Sequence, residues 1–292
     1  MTCKICGSKC NPYGVAEVLG KYQASFSECS TCDFIFVDNC TWLEEAYKDA
    51  INETDVGYLQ RNYGTAEDLK QFLATTSPDD YFVDYGAGYG AMVRLMRDRG
   101  YKFHWHDKYC KNLFAHFLEA EASRIGSYRA MVAVEVFEHL IDPTETLEDM
   151  LTFTNAIFFT TELIPTEKPK LNDWWYFGLE HGQHLSFYTE PALHKLADKY
   201  GLRYRRLTDT WHLLAKPDDS LLHDIPQMDI TPSANRFSRR LVKFIARKLP
   251  SNVNQKAIAR KSLTLSDHDK IKNIIETKSG FKGNLDSYNS SA

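Results

Sequence analysis

From residue 79 to residue 215 the chain alternates short apolar runs, bounded by polar or glycine-rich turns, with amphipathic stretches of helical period. That alternation predicts strand–helix units building a largely parallel α/β sheet with helices on both faces. The first apolar run ends in Asp84 and enters a turn holding Gly86, Gly88 and Gly90, with a helix expected over 91–99. Gly100 closes that helix, and a strand over 102–106 ends in Asp107. Further strands are expected at 131–134, 156–161, 202–207 and 211–215, with helices at 144–153 and 191–200. The sheet is expected to have seven strands and a terminal hairpin, its third strand being poorly marked around 123–128.

Outside this alternation the pattern changes. Residues 1–40 read as a small separate module. Residues 41–78 mix aromatic and charged positions at helical spacing, with Tyr47, Tyr58, Arg61 and Tyr63 as distinctive members, and read as connecting helices. An irregular insertion over 165–182 carries Trp174, Trp175, Tyr176 and Phe177, and reads either as a substrate lid above the strand ends or as a packed surface flap. Beyond the core domain of 79–215, a helical extension over 216–278 precedes a Ser-, Gly- and Asn-rich tail, 279–292, expected to be disordered.

Charge sharpens this division. From Lys216 onward there are 14 Lys and Arg against 8 Asp and Glu, whereas residues up to Ala215 hold 21 against 31. An acidic body offers polyanions no general attraction, which excludes duplex DNA as a partner and weighs against RNA. Residues 238–249 place Leu241, Phe244, Ile245 and Leu249 on one helical face, which can rest on anionic lipid; packing against the core domain is preferred. With no apolar run of about 18 residues and no leader-like start, the protein is expected in the cytoplasm.

Five of the seven cysteines fall within the first 32 positions. Cys3 and Cys6, then Cys29 and Cys32, form two C-x-x-C pairs separated by a hairpin-length segment, and Gly7 permits a tight turn. Each pair aims two sulfurs at one point, the ligand pattern of a closed tetrahedral zinc site with no open position for substrate. Zinc is therefore expected to be structural, with Cys10 a substitute ligand and Cys40 and Cys110 ordinary thiols.

The run Asp84-Tyr85-Gly86-Ala87-Gly88-Tyr89-Gly90 resembles the first motif of class I S-adenosylmethionine-dependent methyltransferases. That resemblance implies a Rossmann-like methyltransferase sheet, here with a zinc-ribbon-like module before it and a helical tail after it. It further implies S-adenosyl-L-methionine as cofactor, contacted by Asp84, Gly86, Ala87, Gly88 and Gly90, with Asp107 on the ribose and Glu135 near the methionine amino group. Glu135-Val136-Phe137-Glu138-His139 resembles the E-x-x-E-H motif of ubiquinone-pathway O-methyltransferases and small-RNA 3′-terminal methyltransferases, and 180–189 resembles a stretch bordering the acceptor site in many members. Glu138, His139, His181 and His184 are the candidate catalytic residues. Two chemistries are open: a neutral His139 or His184 acting as general base, which is preferred, or Mg²⁺ held by Glu135, Glu138, His139 and His184. A cysteine-paired module before such a core resembles bacterial enzymes acting on sugars, nucleotide sugars or surface saccharides, so O-methylation of a small-molecule or saccharide acceptor is expected. An RNA-modifying enzyme and a non-catalytic zinc-stabilised scaffold are the alternatives.

Overall fold

Strand β4 (Tyr81–Tyr85) lies inside a six-stranded sheet because its apolar residues are covered on both faces. Its neighbours are β5 (Lys102–His106) on one side and β6 (Ala130–Ala133) on the other, both parallel to it, and β7 (Ala156–Thr160) runs parallel to β6. The hairpin β9 (Arg203–Arg206) and β10 (Trp211–Ala215) closes the far edge, β10 pairing antiparallel with β7, which gives the order β5-β4-β6-β7-β10-β9. The computed structural model describes residues 1–47, 56–225 and 260–279. The amphipathic stretch 238–249 and, but for its first residue, the tail 279–292 lie outside them.

The place of a seventh strand beside β5 is held by a single bridge, Trp105 to Glu119. Trp105 N–H donates to Leu118 O and Ala120 N–H to Trp105 O, both at 2.7 Å. Ala115 and Leu118, just before the bridge, are buried in the core on the α2–α3 side, and among the described residues the pairing extends no further than this one bridge.

Helices cover both faces. On one, α2 (Tyr58–Phe72) and α3 (Ala91–Asp98) bury Leu69, Phe72, Val93 and Met96 against Phe82, Phe103, Val132 and Phe158. On the other, α4 (Pro143–Phe153) and α5 (Glu190–Lys199) bury Leu147, Met150, Leu193 and Leu196 against Val83, Met131, Ile157 and Phe159. Asp142 caps α4 by accepting from Thr144 N and Glu145 N, with Pro143 as its first residue, and Thr189 caps α5 through Ala192 N.

The cysteine-bearing segment forms a second sheet of β1 (Cys10–Val18), β2 (Tyr22–Cys29), β3 (Ile35–Val37) and β8 (Ser186–Phe187). Its fourth strand therefore comes from just beyond His184, so the module shares its sheet with the large domain. Between β7 and β8, Tyr176 and Phe177 are buried against β1, β2 and β8, while Trp175 remains 54% exposed. The aromatic insertion is thus a packed flap with one indole in solvent. Short helix α1 (Leu43–Ala46) follows β3.

The C-terminal helix, Thr264–Ser279, docks on α3 through charge: Arg97 Nε and Nη2 donate to the two Asp267 oxygens at 2.7 and 2.6 Å, and Arg94 Nη2 donates at 2.7 Å. Burial pushes the Asp267 carboxyl up, but the bonds from Arg97 and Arg94 outweigh it and hold the group below its ordinary value. Asp267→Ala is expected to cost ~3 kcal/mol by stranding buried Arg97. The depressed carboxyl contributes stability above its unfolded value and loses it as pH falls through the lower folded one. The wild-type advantage in denaturant titration is therefore expected to be flat near neutrality and to shrink below about pH 4. Among the described residues no helix is long and apolar enough to cross a membrane.

Candidate active site

The carboxyl ends of β4 and β6 open into a cleft of about 420 Å³. Asp84, the fourth residue of β4, lines it while only 3% exposed; burial, with the Asp107 charge next, pushes its carboxyl well above the ordinary range. The turn to α3 then passes through Gly86 and Gly90 at φ +71° and +89°. A Cβ on Gly86 would lie 2.7 Å from Val136 Cγ2, so glycine is required by both conformation and space. Ala87 and Gly88 also line the cleft at this turn.

Asp107, just past β5, is a turn lock. Its Oδ2 accepts from Gly88 N at 2.9 Å, and its Oδ1 accepts from Tyr109 N at 2.7 Å and Cys110 N at 2.8 Å. Three of a carboxylate's roughly four lone-pair sites are thus occupied, leaving one for a further donor. The residue's first effect is to hold the glycine turn against the loop after β5.

Across the cleft, the turn that follows β6 brings Glu135, Glu138 and His139 together. Glu135 sits at φ +54°, an uncommon conformation for a side chain of its size; its N–H donates to Thr160 Oγ1 at 2.8 Å, and that hydroxyl donates to Glu135 Oε1 at 3.2 Å. Glu138 is fully buried, and neither of its carboxylate oxygens has a hydrogen-bond partner among the described residues. Burial, then the neighbouring Glu135, drives its carboxyl well above the ordinary range, opposed by its own backbone N–H and then by the Tyr176 hydroxyl, neither of which is in hydrogen-bonding geometry with it.

Two imidazoles face this carboxylate. His139 Nδ1 lies 2.9 Å from Gln183 O, and His184 Nδ1 lies 2.7 Å from Tyr176 O. A carbonyl oxygen can only accept, so both rings are assigned a proton on Nδ1 and a lone pair on Nε2. Burial lowers His139 to about 4 and His184 to about 2, keeping both neutral. One ligand atom from each of Glu138, His139 and His184 lies within 4.8 Å of the others. Glu135 does not belong to that group. Neither does His181, whose Nδ1 accepts from Gln183 N at 3.2 Å and whose ring packs edge-on to His184. Sequence reasoning missed Gln183 and the role of Tyr47, whose hydroxyl lies 2.9 Å from His139 Nδ1. Their contribution comes from position in space, which no local pattern encodes.

Outside the cleft, the four paired cysteines converge: Cys3 and Cys32 sulfurs are 3.7 Å apart, Cys6 and Cys29 3.4 Å, and Cys6 and Cys32 3.7 Å. Tetrahedral zinc with bonds of about 2.3 Å needs sulfurs about 3.8 Å apart, so the cluster is already close to the size of that site. Cys10 lies outside the group of four.

A family described as a methyltransferase domain matches residues 58–207. No curated protein matches the chain. Among solved structures, the magnesium protoporphyrin IX methyltransferase of Synechocystis, with bound SAH, is 14% identical and covers 60% of this chain and 94% of its own, at a TM-score of 0.38. The plantazolicin methyltransferase in complex with SAH is 14% identical, covering 70% of this chain and 90% of its own, at a TM-score of 0.39.

Proposed function

The chain belongs to the methyltransferase-domain family and is an S-adenosylmethionine-dependent enzyme, and from that premise we propose that it methylates a hydroxyl oxygen of a small acceptor of the saccharide or nucleotide-sugar class. The observation that carries the reading is the orphaned Glu138 carboxylate facing two neutral imidazoles that present Nε2. A buried carboxylate without a partner is costly, and a divalent cation would offset that cost. Lone pairs lowered to about 4 and about 2 make His139 and His184 poor general bases, whereas neutral imidazole is the form that ligates metal. The metal-free mechanism expected from the motif therefore gives way to an ion held by Glu138, His139 and His184. One carboxylate and two imidazoles do not make the oxygen set that Mg²⁺ prefers; they suit Mn²⁺, Fe²⁺, Co²⁺ or Zn²⁺. When bound, such an ion lowers the pKa of a coordinated acceptor hydroxyl.

The chain's own residues supply the rest. The Gly86–Gly88 backbone, which lines the cleft, receives the ribose together with Asp107, which is bonded to that turn, and Glu135, which lines the cleft with Asp84, receives the methionine ammonium. Trp175, at the same cleft, offers a ring face to the acceptor. The four cysteines hold structural zinc. Calorimetric titration with S-adenosylhomocysteine is expected to show micromolar one-to-one binding, weakened on the order of 10-fold or more by Asp84→Ala and by Asp107→Ala, the scale of about 1.4 kcal/mol. Unaltered affinity in both variants would remove the cofactor pocket from this cleft.

A further inference from the structure

The loop that carries His181 and His184 is held largely by the N-terminal segment. Leu19 N donates to Leu179 O at 2.9 Å, Val37 N to Leu185 O at 2.9 Å, and Trp42 Nε1 to Gly182 O at 2.8 Å. Gly182 has no room for a side chain, since a Cβ there would lie 2.6 Å from Val18 Cγ1 and 2.8 Å from Trp42 Nε1. Gln183 Nε2 donates to Ala46 O at 2.6 Å. On its other side the loop is tied to the turn after β6, where Leu185 N donates to Glu138 O at 2.7 Å.

Tyr47 stands where these two attachments meet. Its hydroxyl lies 2.9 Å from His139 Nδ1 and donates to Gln183 O at 3.3 Å, while Gln183 O also lies 2.9 Å from the same Nδ1. The Nδ1 proton is thus shared between two oxygens on one side of the ring, and the phenol ring packs edge-on to the imidazole with centroids 6.1 Å apart. Two acceptors fix the ring plane more tightly than one.

We propose that Tyr47 is a positioning residue of the acceptor site: with Gln183 O it holds the His139 ring so that Nε2 faces Glu138 and His184. This rests on the reading of those three residues as ligands of a divalent ion. It makes the segment leaving the cysteine module a working part of the active site, since Tyr47 is the point at which that segment reaches a ligand. Outer-shell partners of this kind orient ligating imidazoles and set their affinity.

The test uses the full chain with zinc loaded at the cysteines. Mn²⁺ binding is followed by the electron paramagnetic resonance of the free ion, and S-adenosylhomocysteine binding by calorimetry. Tyr47→Phe keeps the ring and loses the hydroxyl. It is expected to weaken Mn²⁺ about 10-fold and to leave S-adenosylhomocysteine affinity within about twofold, since the glycine turn lies elsewhere in the cleft. Wild-type Mn²⁺ affinity in Tyr47→Phe would overturn the proposal, as would loss in Tyr47→Ala alone, which would assign the effect to packing. Absent Mn²⁺ binding by the wild type, or binding indifferent to His184→Ala, would count against the metal reading instead. The positioning claim is then decided by imidazole ¹⁵N spectra of the metal-free protein. A His139 Nδ1–H signal that is sharp in the wild type and broadened in Tyr47→Phe supports it, and identical spectra overturn it.

Discussion

Replacing Glu138 by Leu is expected to make the metal-free protein more stable and to abolish ion binding at the acceptor site. The carboxylate is fully buried with both oxygens unpartnered among the described residues, a state that opposes folding without an ion. A side chain of similar volume and no polar atoms removes that penalty, and protein data for buried polar groups place the gain at about 1–3 kcal/mol. The same change deletes the one anionic member of the group, so the loss of Mn²⁺ affinity should exceed the roughly 10–100-fold that losing an outer-shell partner costs. Melting curves with and without Mn²⁺ measure both effects. Stabilisation together with lost binding is the pattern of a residue kept for function at the expense of stability. A destabilised Glu138→Leu would mean that the carboxylate already has its partner in the metal-free fold, and the ion would lose its main support.

Removing the zinc proposed for the four cysteines, by chelation or by Cys29→Ser with Cys32→Ser, is expected to produce the largest structural effect. Zinc binding supplies about 10–16 kcal/mol to small cysteine-ligated peptides. Here Cys29 and Cys32 are fully buried and belong to the same apolar cluster as Phe34, Phe36, Tyr188 and the α5 face of the large sheet. Loss of the metal leaves crowded thiols in that cluster and frees β1, β2 and β3, and with them the anchors of residues 179–185. The half of the cleft proposed for the cofactor rests on the glycine turn and on β4 and β5, which pair within the other sheet. The expected result is a split response: Mn²⁺ affinity falls by an order of magnitude or more, while S-adenosylhomocysteine still binds within a few-fold of wild type. Hydrogen exchange would locate the loosened amides in the N-terminal sheet and residues 179–185. Equal loss of both ligands would show one cooperative unit, and retained Mn²⁺ affinity would show that the module does not hold the histidine loop.

Much of the architecture is legible because it rests on local rules. The apolar runs at 102–106 and 211–215 are strands over those same residues. The expected helix at 144–153 begins one residue earlier, at Pro143, because Asp142 caps it and proline suits the first helical position. The cysteine spacing already places sulfurs in pairs, since each C-x-x-C turn is a local structure. The seventh strand is the exception: among the described residues the sheet has six strands, with one isolated bridge, Trp105 to Glu119, at its β5 edge.

The acceptor site is legible in part. Glu138 and His139 stand out as a motif, and His184 as a later histidine, but the motif does not distinguish Glu138 from Glu135 or His184 from His181. That choice is made by partners: Tyr176 O and Gln183 O accept from Nδ1–H of two rings and so fix their protons there, whereas Gln183 N–H donates to the Nδ1 lone pair of His181.

The sequence by itself thus determined the sheet class, the glycine turn, the four-cysteine cluster and the candidate carboxylates, because hydrophobic period, capping and short spacings act over a few residues. Tertiary structure alone decided that β8 completes the N-terminal sheet, that Tyr47 reaches His139 and that Glu138 is left without a partner among the described residues. Those outcomes depend on which distant segments share a boundary once the apolar faces are buried, and on the desolvation that burial imposes, quantities that belong to the packed chain and to none of its segments.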